Sequence, residues 1–241
     1  CMKIKIGILK SKVVTDNPKL LKALVNLYTF KVPGSEFSTA YRQHRWDGKQ
    51  RFMSNAGMFR SGLLNRVLGD LSEIECEPEL EYEYSSEETH DLVTIKDFTY
   101  YDFQETFIKK ALQDKRGIIK SPTGSGKTLI MAGLVKALEG KKMVLLFNAK
   151  HLLTQTYDFL NETCCIPNVG LCFGEGYIYG DIMLCTVQSI EKILDTHLEE
   201  AEVLMVDVCH EFANGKTTLA ALRAFPRAQY RIGFTATPPS E

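Results

Sequence analysis

The chain has 241 residues, 44% of them hydrophobic, with 29 Lys and Arg against 30 Asp and Glu. That is enough for one large domain or two smaller ones with a proper core. The near-zero net charge neither points to nor excludes a polyanionic partner, so local patches must decide. No apolar run reaches membrane-spanning length and no signal peptide is visible, which predicts a cytoplasmic protein. Seven cysteines without a C-x-x-C pair argue for reduced thiols rather than a disulfide framework or a metal site.

In chain order, Met2 to Leu9 alternates Lys with aliphatic residues and predicts a half-exposed strand. Asp16-Asn17-Pro18 predicts a helix start, followed by Leu20, Leu21, Leu24, Val25 and Tyr28 on one face. Lys31 to Gly34 reads as a turn. Asp47-Gly48 then predicts a hairpin whose two strands carry Arg42, Arg45, Lys49 and Arg51, interleaved with Tyr41, Trp46 and Phe52. Guanidinium groups beside aromatic faces suit phosphate contact with base stacking. The same residues also read as a solvated basic hairpin whose aromatics, Trp46 included, face a core. From Asp70 the character turns acidic. Part of the glutamate-rich stretch reads as an edge strand, and the segment around Ser85-Ser86-Glu87-Glu88 as a linker. This places a domain boundary near residue 90.

Beyond it, apolar runs at 118–120, 143–147, 170–173, 182–186, 203–207 and 231–235 predict buried strands. Helical stretches are expected at 128–138, 151–160, 187–194 and 217–225. The alternation predicts an α/β fold, a mostly parallel sheet covered by helices, with ligands beyond the carboxyl ends of its strands. One stretch has the context of strand, glycine loop and helix that a phosphate-binding loop requires: Ser121-Pro122-Thr123-Gly124-Ser125-Gly126-Lys127-Thr128. Gly124 and Gly126 permit the tight bend that turns several N–H groups toward one anion. The following helix adds its positive end. Lys127 can reach the outer phosphates and the Thr128 hydroxyl can ligate Mg²⁺. Asp207, at the end of Val203-Leu204-Met205-Val206, is the candidate second holder of that metal, or alternatively a helix cap. Upstream, Gln104 has an amide that can pair with an adenine edge, with Phe103 or Tyr101 stacking on the base; a plain amphipathic helix start explains them as well.

Together these residues resemble the motif set of superfamily 2 helicases. Ser121–Thr128, Asp207-Val208-Cys209-His210 and Thr235-Ala236-Thr237-Pro238 resemble motifs I, II and III. Gln104 resembles the adenine-reading glutamine. Asn148-Ala149-Lys150 lies in a stretch similar to motif Ia, and Thr186-Val187-Gln188 in one similar to motif Ib. The resemblance spans residues 98 to 241. A weaker similarity over about residues 37–68 points to the front domain of phage UvsW-type helicases, which remodel branched DNA.

The resemblance implies a RecA-like P-loop domain at 91–241, preceded by a small α+β nucleic-acid-contacting domain at 1–90. It implies ATP and Mg²⁺ as cofactors and DNA, forked or branched, as partner. Lys127, Asp207 and His210 would then be catalytic and Thr235 and Thr237 would couple nucleotide to strand. Asn148, Lys150, Thr186 and Gln188 would join Arg42, Arg45, Trp46, Lys49 and Arg51 on the nucleic acid. It also implies a partner, the second RecA-like domain with its arginine fingers, which the 241 residues do not contain. If the source is a phage, the compartment is the host cytoplasm.

The sequence departs from the family where Val208 stands in place of the glutamate that acts as general base. Loss of such a base typically costs ~10²–10⁴-fold in rate, and a missing arginine finger ~10³–10⁵-fold. This chain alone is therefore expected to bind nucleotide and barely hydrolyse it. Two other readings stay open: a non-catalytic, nucleotide-gated DNA-binding module, and a motor subunit of another superfamily 2 ATPase, such as a restriction enzyme.

Overall fold

The structure, a computed structural model, describes residues 2–84, 90–122, 124–207 and 225–236. Thr123, Val208, His210, Thr237, the linker at 85–89 and all but the last residue of the helix expected at 217–225 lie outside them. The chain divides into two compact units, Cys1–Glu87 and Glu88–Glu241.

The first unit is built on a four-stranded sheet. Strands β1 (Met2–Ile6) and β2 (Lys10–Thr15) form an antiparallel hairpin. The alternation predicts one strand through to Leu9; the chain instead turns at Gly7, whose N–H donates to the Lys10 carbonyl (3.1 Å). Helix α1 (Pro18–Leu27) starts where expected, because the Asn17 side chain accepts from the N–H groups of Lys19 and Leu20 and Pro18 needs no donor there. Strand β3 (Thr29–Lys31), the single helical turn α2 (Thr39–Arg42) and strand β4 (Lys49–Arg51) follow. Strand β5 (Met58–Arg60), helix α3 (Leu64–Ser72) and strand β6 (Glu79–Tyr82) complete the unit. The sheet order is β5-β2-β1-β6, with β6 parallel to β1 at the edge.

Alternation puts Met2, Ile4, Ile6, Val13 and Phe59 on one face of this sheet. Leu24 and Val25 of α1 and Val67 and Leu71 of α3 complete the same buried cluster. The glutamate-rich stretch has a structural role. Glu79 and Glu81 stand opposite Lys3 and Lys5 in the β1–β6 register and pair with them at 3.0 and 3.6 Å.

The hairpin expected around Asp47-Gly48 does not form. Ser38 caps a helical turn, its hydroxyl accepting from the Tyr41 N–H (3.2 Å), so residues 39–42 are not extended. β4 pairs instead with β3, far upstream, and the Val32 N–H to Gly48 carbonyl bond (2.8 Å) continues that ribbon. Trp46 is half-buried and outside the core cluster; its indole N–H donates to the Lys49 carbonyl (2.9 Å).

The second unit carries helix α4 (Asp102–Asp114), β7 (Arg116–Lys120), α5 (Lys127–Ala137), β8 (Met143–Phe147) and α6 (Lys150–Asp158). β9 (Val169–Phe173), β10 (Gly176–Ile178), β11 (Ile182–Thr186), the short helix α7 (Leu194–His197), β12 (Val203–Val206) and β13 (Tyr230–Thr235) follow. The seven strands lie in the order β10-β9-β11-β8-β12-β13-β7, all parallel except β10, which returns antiparallel to β9. The fold is therefore the α/β, RecA-like mostly parallel sheet expected.

Its strands read as unbroken apolar runs because both faces are covered. In β8, Met143, Leu145 and Phe147 enter the cluster beneath α4, α5 and α6, while Val144 and Leu146 enter the opposite one. The expected helix at 187–194 is a 3₁₀ helix (Val187–Ile193) leading into α7, and α6 closes in a π-helical turn, Phe159–Thr163. Among the described residues no helix is long and apolar enough to cross a membrane.

His197 is fully buried, with Nε2 donating to the Gly180 carbonyl (2.9 Å) and Nδ1 2.7 Å from the Thr196 hydroxyl. Burial pushes its pKa below the usual imidazole value of 6.5. The unfolded chain then binds a proton that the folded chain refuses. The stability that His197 contributes is intact above about pH 6.5 and falls as pH drops below it. The thermal midpoint should therefore fall more steeply between pH 7.5 and 5.5 for the wild type than for His197→Gln. Equal slopes would remove His197 as the cause.

Candidate functional site

Parallel strands end on the same side, and the sheet order fixes which ends are neighbours. Lys120 of β7 is in register with Thr235 of β13, Gly233 with Val206 of β12, and Val206 with Leu146 of β8. The glycine loop, Asp207, Thr235 and the β8 end thus meet along one edge. The Ser121 N–H donates to the Thr235 carbonyl (2.8 Å) and the Asp207 N–H to the Leu146 carbonyl (2.9 Å). Ser121 and Thr235 are fully buried and Asp207 nearly so.

Within the loop, Gly124 and Gly126 have φ of +81° and +78°, the left-handed region that glycine enters without penalty. The Ser125 N–H and hydroxyl both donate to the Pro122 carbonyl (3.2 and 2.6 Å), and the Ser121 and Ser125 hydroxyls bond each other. Gly126 is the N-cap of α5, so Lys127 and Thr128 open its first turn and their N–H groups have no partner inside the helix. Such a terminus favours an anion through its free donors and its dipole. The Lys127 ammonium lies 3.8 Å from a carboxylate oxygen of Asp207. The residues fit Mg²⁺-nucleotide: a glycine bend at a helix N-terminus, a lysine, a hydroxyl at Thr128 and a buried carboxylate beside that lysine.

Gln104 is 2% exposed and both ends of its amide are engaged. Its oxygen accepts from the Tyr101 N–H (3.0 Å), capping α4, and its nitrogen donates to the Ser125 carbonyl (2.9 Å). In this arrangement Gln104 braces the loop. Phe103 is 42% exposed and stacks nearly parallel on Tyr101, at 5.8 Å between ring centres. Both rings line a cavity of about 790 Å³ that runs from Gly124–Thr128 to Gln155, Asp158 and Phe159. The last three had no signal in the sequence: their helix was legible, but its approach to the loop is a tertiary fact.

The residues expected along the nucleic acid fall in several places. Asn148 is half-buried at the end of β8, and the exposed Lys150 sets its ammonium 4.4 Å over the Phe173 ring. Gln188 is exposed. Thr186 is buried, its hydroxyl donating to Ser189 (3.1 Å), whose oxygen also accepts from the Gly174 N–H (3.1 Å). In the first unit, Arg42, Arg45 and Lys49 are exposed. Arg51 is bound to Asp47 through both terminal guanidinium nitrogens, and this pairing holds the Asp47 carboxyl down at about 2.

The family model described as "Type III restriction enzyme, res subunit" matches residues 97–240. A DNA 3'-5' translocase, XPB2 of Sulfurisphaera tokodaii, is 29% identical over 171 residues, covering 70% of this chain. The chain spans 38% of that relative's length. Among solved structures, the UvsW helicase of bacteriophage T4 superposes with a TM-score of 0.74 at 18% identity, over 98% of this chain and 93% of that one. A second T4 UvsW structure gives a TM-score of 0.73 at 17% identity, over 98% of this chain and 53% of that one.

A Cβ at position 126 would sit 2.5 Å from the Gln104 amide nitrogen, in a backbone region L-residues avoid. Gly126→Ala should cost about 1–2 kcal/mol in backbone strain alone. It should also abolish the rise in thermal midpoint on adding Mg²⁺-ATP. Gln104→Ala in that background should add little, because it removes the amide that the new Cβ would displace. Additive losses would show that Gln104 does not brace the loop.

Proposed function

The chain belongs to the family described as the type III restriction enzyme, res subunit, and resembles the N-terminal half of a superfamily 2 helicase; on that footing we propose that it is the ATP-binding half of an ATP-dependent DNA translocase. Its proposed work is on branched or forked DNA, in recombination, repair or replication restart. The observation that carries the reading is Lys127 of the glycine loop facing the buried Asp207 at 3.8 Å, two residues far apart in the chain. No other described arrangement has a donor-lined bend, a cation and a carboxylate at one edge.

Bound Mg²⁺-ATP supplies a phosphoanhydride whose cleavage can drive movement along a strand. The chain's own part begins with the N–H groups of the loop and of the first turn of α5, which take the phosphate oxygens. Lys127 neutralises outer-phosphate charge, and Thr128 and Asp207 hold the metal. Tyr101 and Phe103 offer ring faces to the base, while Gln104 keeps the loop in place. The Ser121 N–H to Thr235 carbonyl bond supports a coupling role for Thr235, and the resemblance to motif III extends that role to Thr237. His210 is assigned to the same catalytic group from its place in motif II.

DNA is proposed as the track from the relative that is a DNA translocase, and branched DNA from the likeness of residues 37–68 to UvsW-type front domains. Lys150 and Gln188 are the exposed candidates on the second unit; Asn148 and Thr186 would act through backbone or after rearrangement. A second RecA-like domain is proposed as partner, since the chain spans 38% of the translocase it matches.

Val208 favours a second reading, a module that binds nucleotide and DNA without turnover. One experiment separates them. The wild-type chain should bind Mg²⁺-ATP and turn it over barely, and Lys127→Ala should lose binding. Val208→Glu joined to the second domain should regain hydrolysis stimulated by forked DNA. Failure of the wild-type chain to bind any nucleotide overturns the proposal. Binding with no gain from Val208→Glu leaves the non-catalytic module as the function.

A further inference from the structure

The first unit has a charged surface that no motif covers. Residues 1–72 carry thirteen Lys and Arg against four Asp and Glu, and residues 73–83 carry six Glu. The four-stranded sheet distributes this asymmetry across its outer face, opposite the one packed on α1 and α3. Alternation places Lys3 and Lys5 of β1, Lys10, Lys12 and Val14 of β2, and Met58 and Arg60 of β5 on that face. In the register Lys5 stands opposite Lys12, and Lys10 opposite Arg60. Like charges directly opposed destabilise a sheet, so this arrangement works against folding.

The acidic strand relieves one half only. Glu79 and Glu81 pair with Lys3 and Lys5, at 3.0 and 3.6 Å. Lys10, Lys12 and Arg60, farther from β6, are exposed and have no carboxylate partner among the described residues. The face therefore grades from acids at the β6 edge to exposed cations over β2 and β5. Val14 and Met58, 38% and 40% exposed, stand among these cations, and none of the strand residues on this face is aromatic.

We propose that the β2–β5 half of this outer face docks the sugar-phosphate backbone of duplex DNA, with Lys10, Lys12 and Arg60 as its three phosphate contacts. The inference rests on the reading of the chain as a DNA-acting protein and names a surface apart from Arg42, Arg45 and Lys49. Three cations on one strand pair can contact backbone phosphates, whose neutralisation releases counterions. A face without aromatic side chains suits a duplex, whose bases stay stacked, rather than a single strand, which is held by base–aromatic stacking. The acidic edge confines the duplex to β2 and β5.

The test is fluorescence anisotropy with a labelled blunt duplex and a labelled single strand of the same length, across a salt series. Lys10→Ala/Lys12→Ala/Arg60→Ala should flatten the log–log salt slope for the duplex by about 2.7. Equivalently, between 50 and 200 mM salt the wild type should lose roughly 40-fold more duplex affinity than the variant. Single-strand binding should change less. The thermal midpoint should hold or rise, since opposed charges are removed, so a folding defect cannot imitate the result. Lys10→Arg/Lys12→Arg should keep the wild-type slope. An unchanged slope in the triple variant overturns this surface alone. A larger loss for the single strand than for the duplex overturns the duplex assignment. Nucleotide binding without any DNA binding by the wild type overturns the DNA reading and this surface together.

Discussion

Two backbone hydrogen bonds at the ends of strands hold the rest in place: Ser121 N–H to the Thr235 carbonyl, and Asp207 N–H to the Leu146 carbonyl. They make the glycine loop, Thr235 and Asp207 continuations of one parallel sheet. Because β7, β13, β12 and β8 are neighbours, residues scattered between 121 and 235 share a single edge. A parallel sheet buried on both faces deforms little, so the position of Asp207 relative to Lys127 is set by the packing of Val203–Val206 rather than by the pair's own attraction.

The loop itself is held from three directions. Ser125 bonds back to Pro122, Ser121 and Ser125 join through their hydroxyls, and Gln104 reaches in from α4. A residue expected to read a base thus has a prior structural duty. The two roles are compatible in kind, since an amide nitrogen carries two hydrogens and its oxygen two lone pairs. What the brace adds is a mechanical link between the start of α4, where Tyr101 and Phe103 stand, and the bend before α5.

The first unit follows a different rule. Its core is one-sided: α1 and α3 cover one face of the sheet, and the other face carries charge. Alternation of Lys and aliphatic residues in β1 was readable because a one-faced strand writes its burial into every second residue. The ribbon of β3 and β4 was not readable. Asp47-Gly48 has turn chemistry, but a turn does not say which strands it joins, and Ser38 drew the residues before it into a helical turn. The pairing with Thr29–Lys31 depends on a contact between distant segments that no local signal encodes.

By itself the sequence determined the alternation of strands and helices after residue 90, the mostly parallel sheet and the glycine loop that opens a helix. These rest on short-range chemistry: apolar runs of strand length, glycine at positive φ, a helix that begins at Lys127. It also singled out Gln104 and Asp207 as chemically apt, without saying where they stand. Tertiary structure alone decided that Asp207 faces Lys127 and that Gln104 is buried against the loop. It alone decided that Gln155 and Asp158 reach the same cavity, and that Lys10, Lys12 and Arg60 lie side by side. Strand order and register set these neighbours, and both arise from packing across the whole core rather than from any segment's own preference.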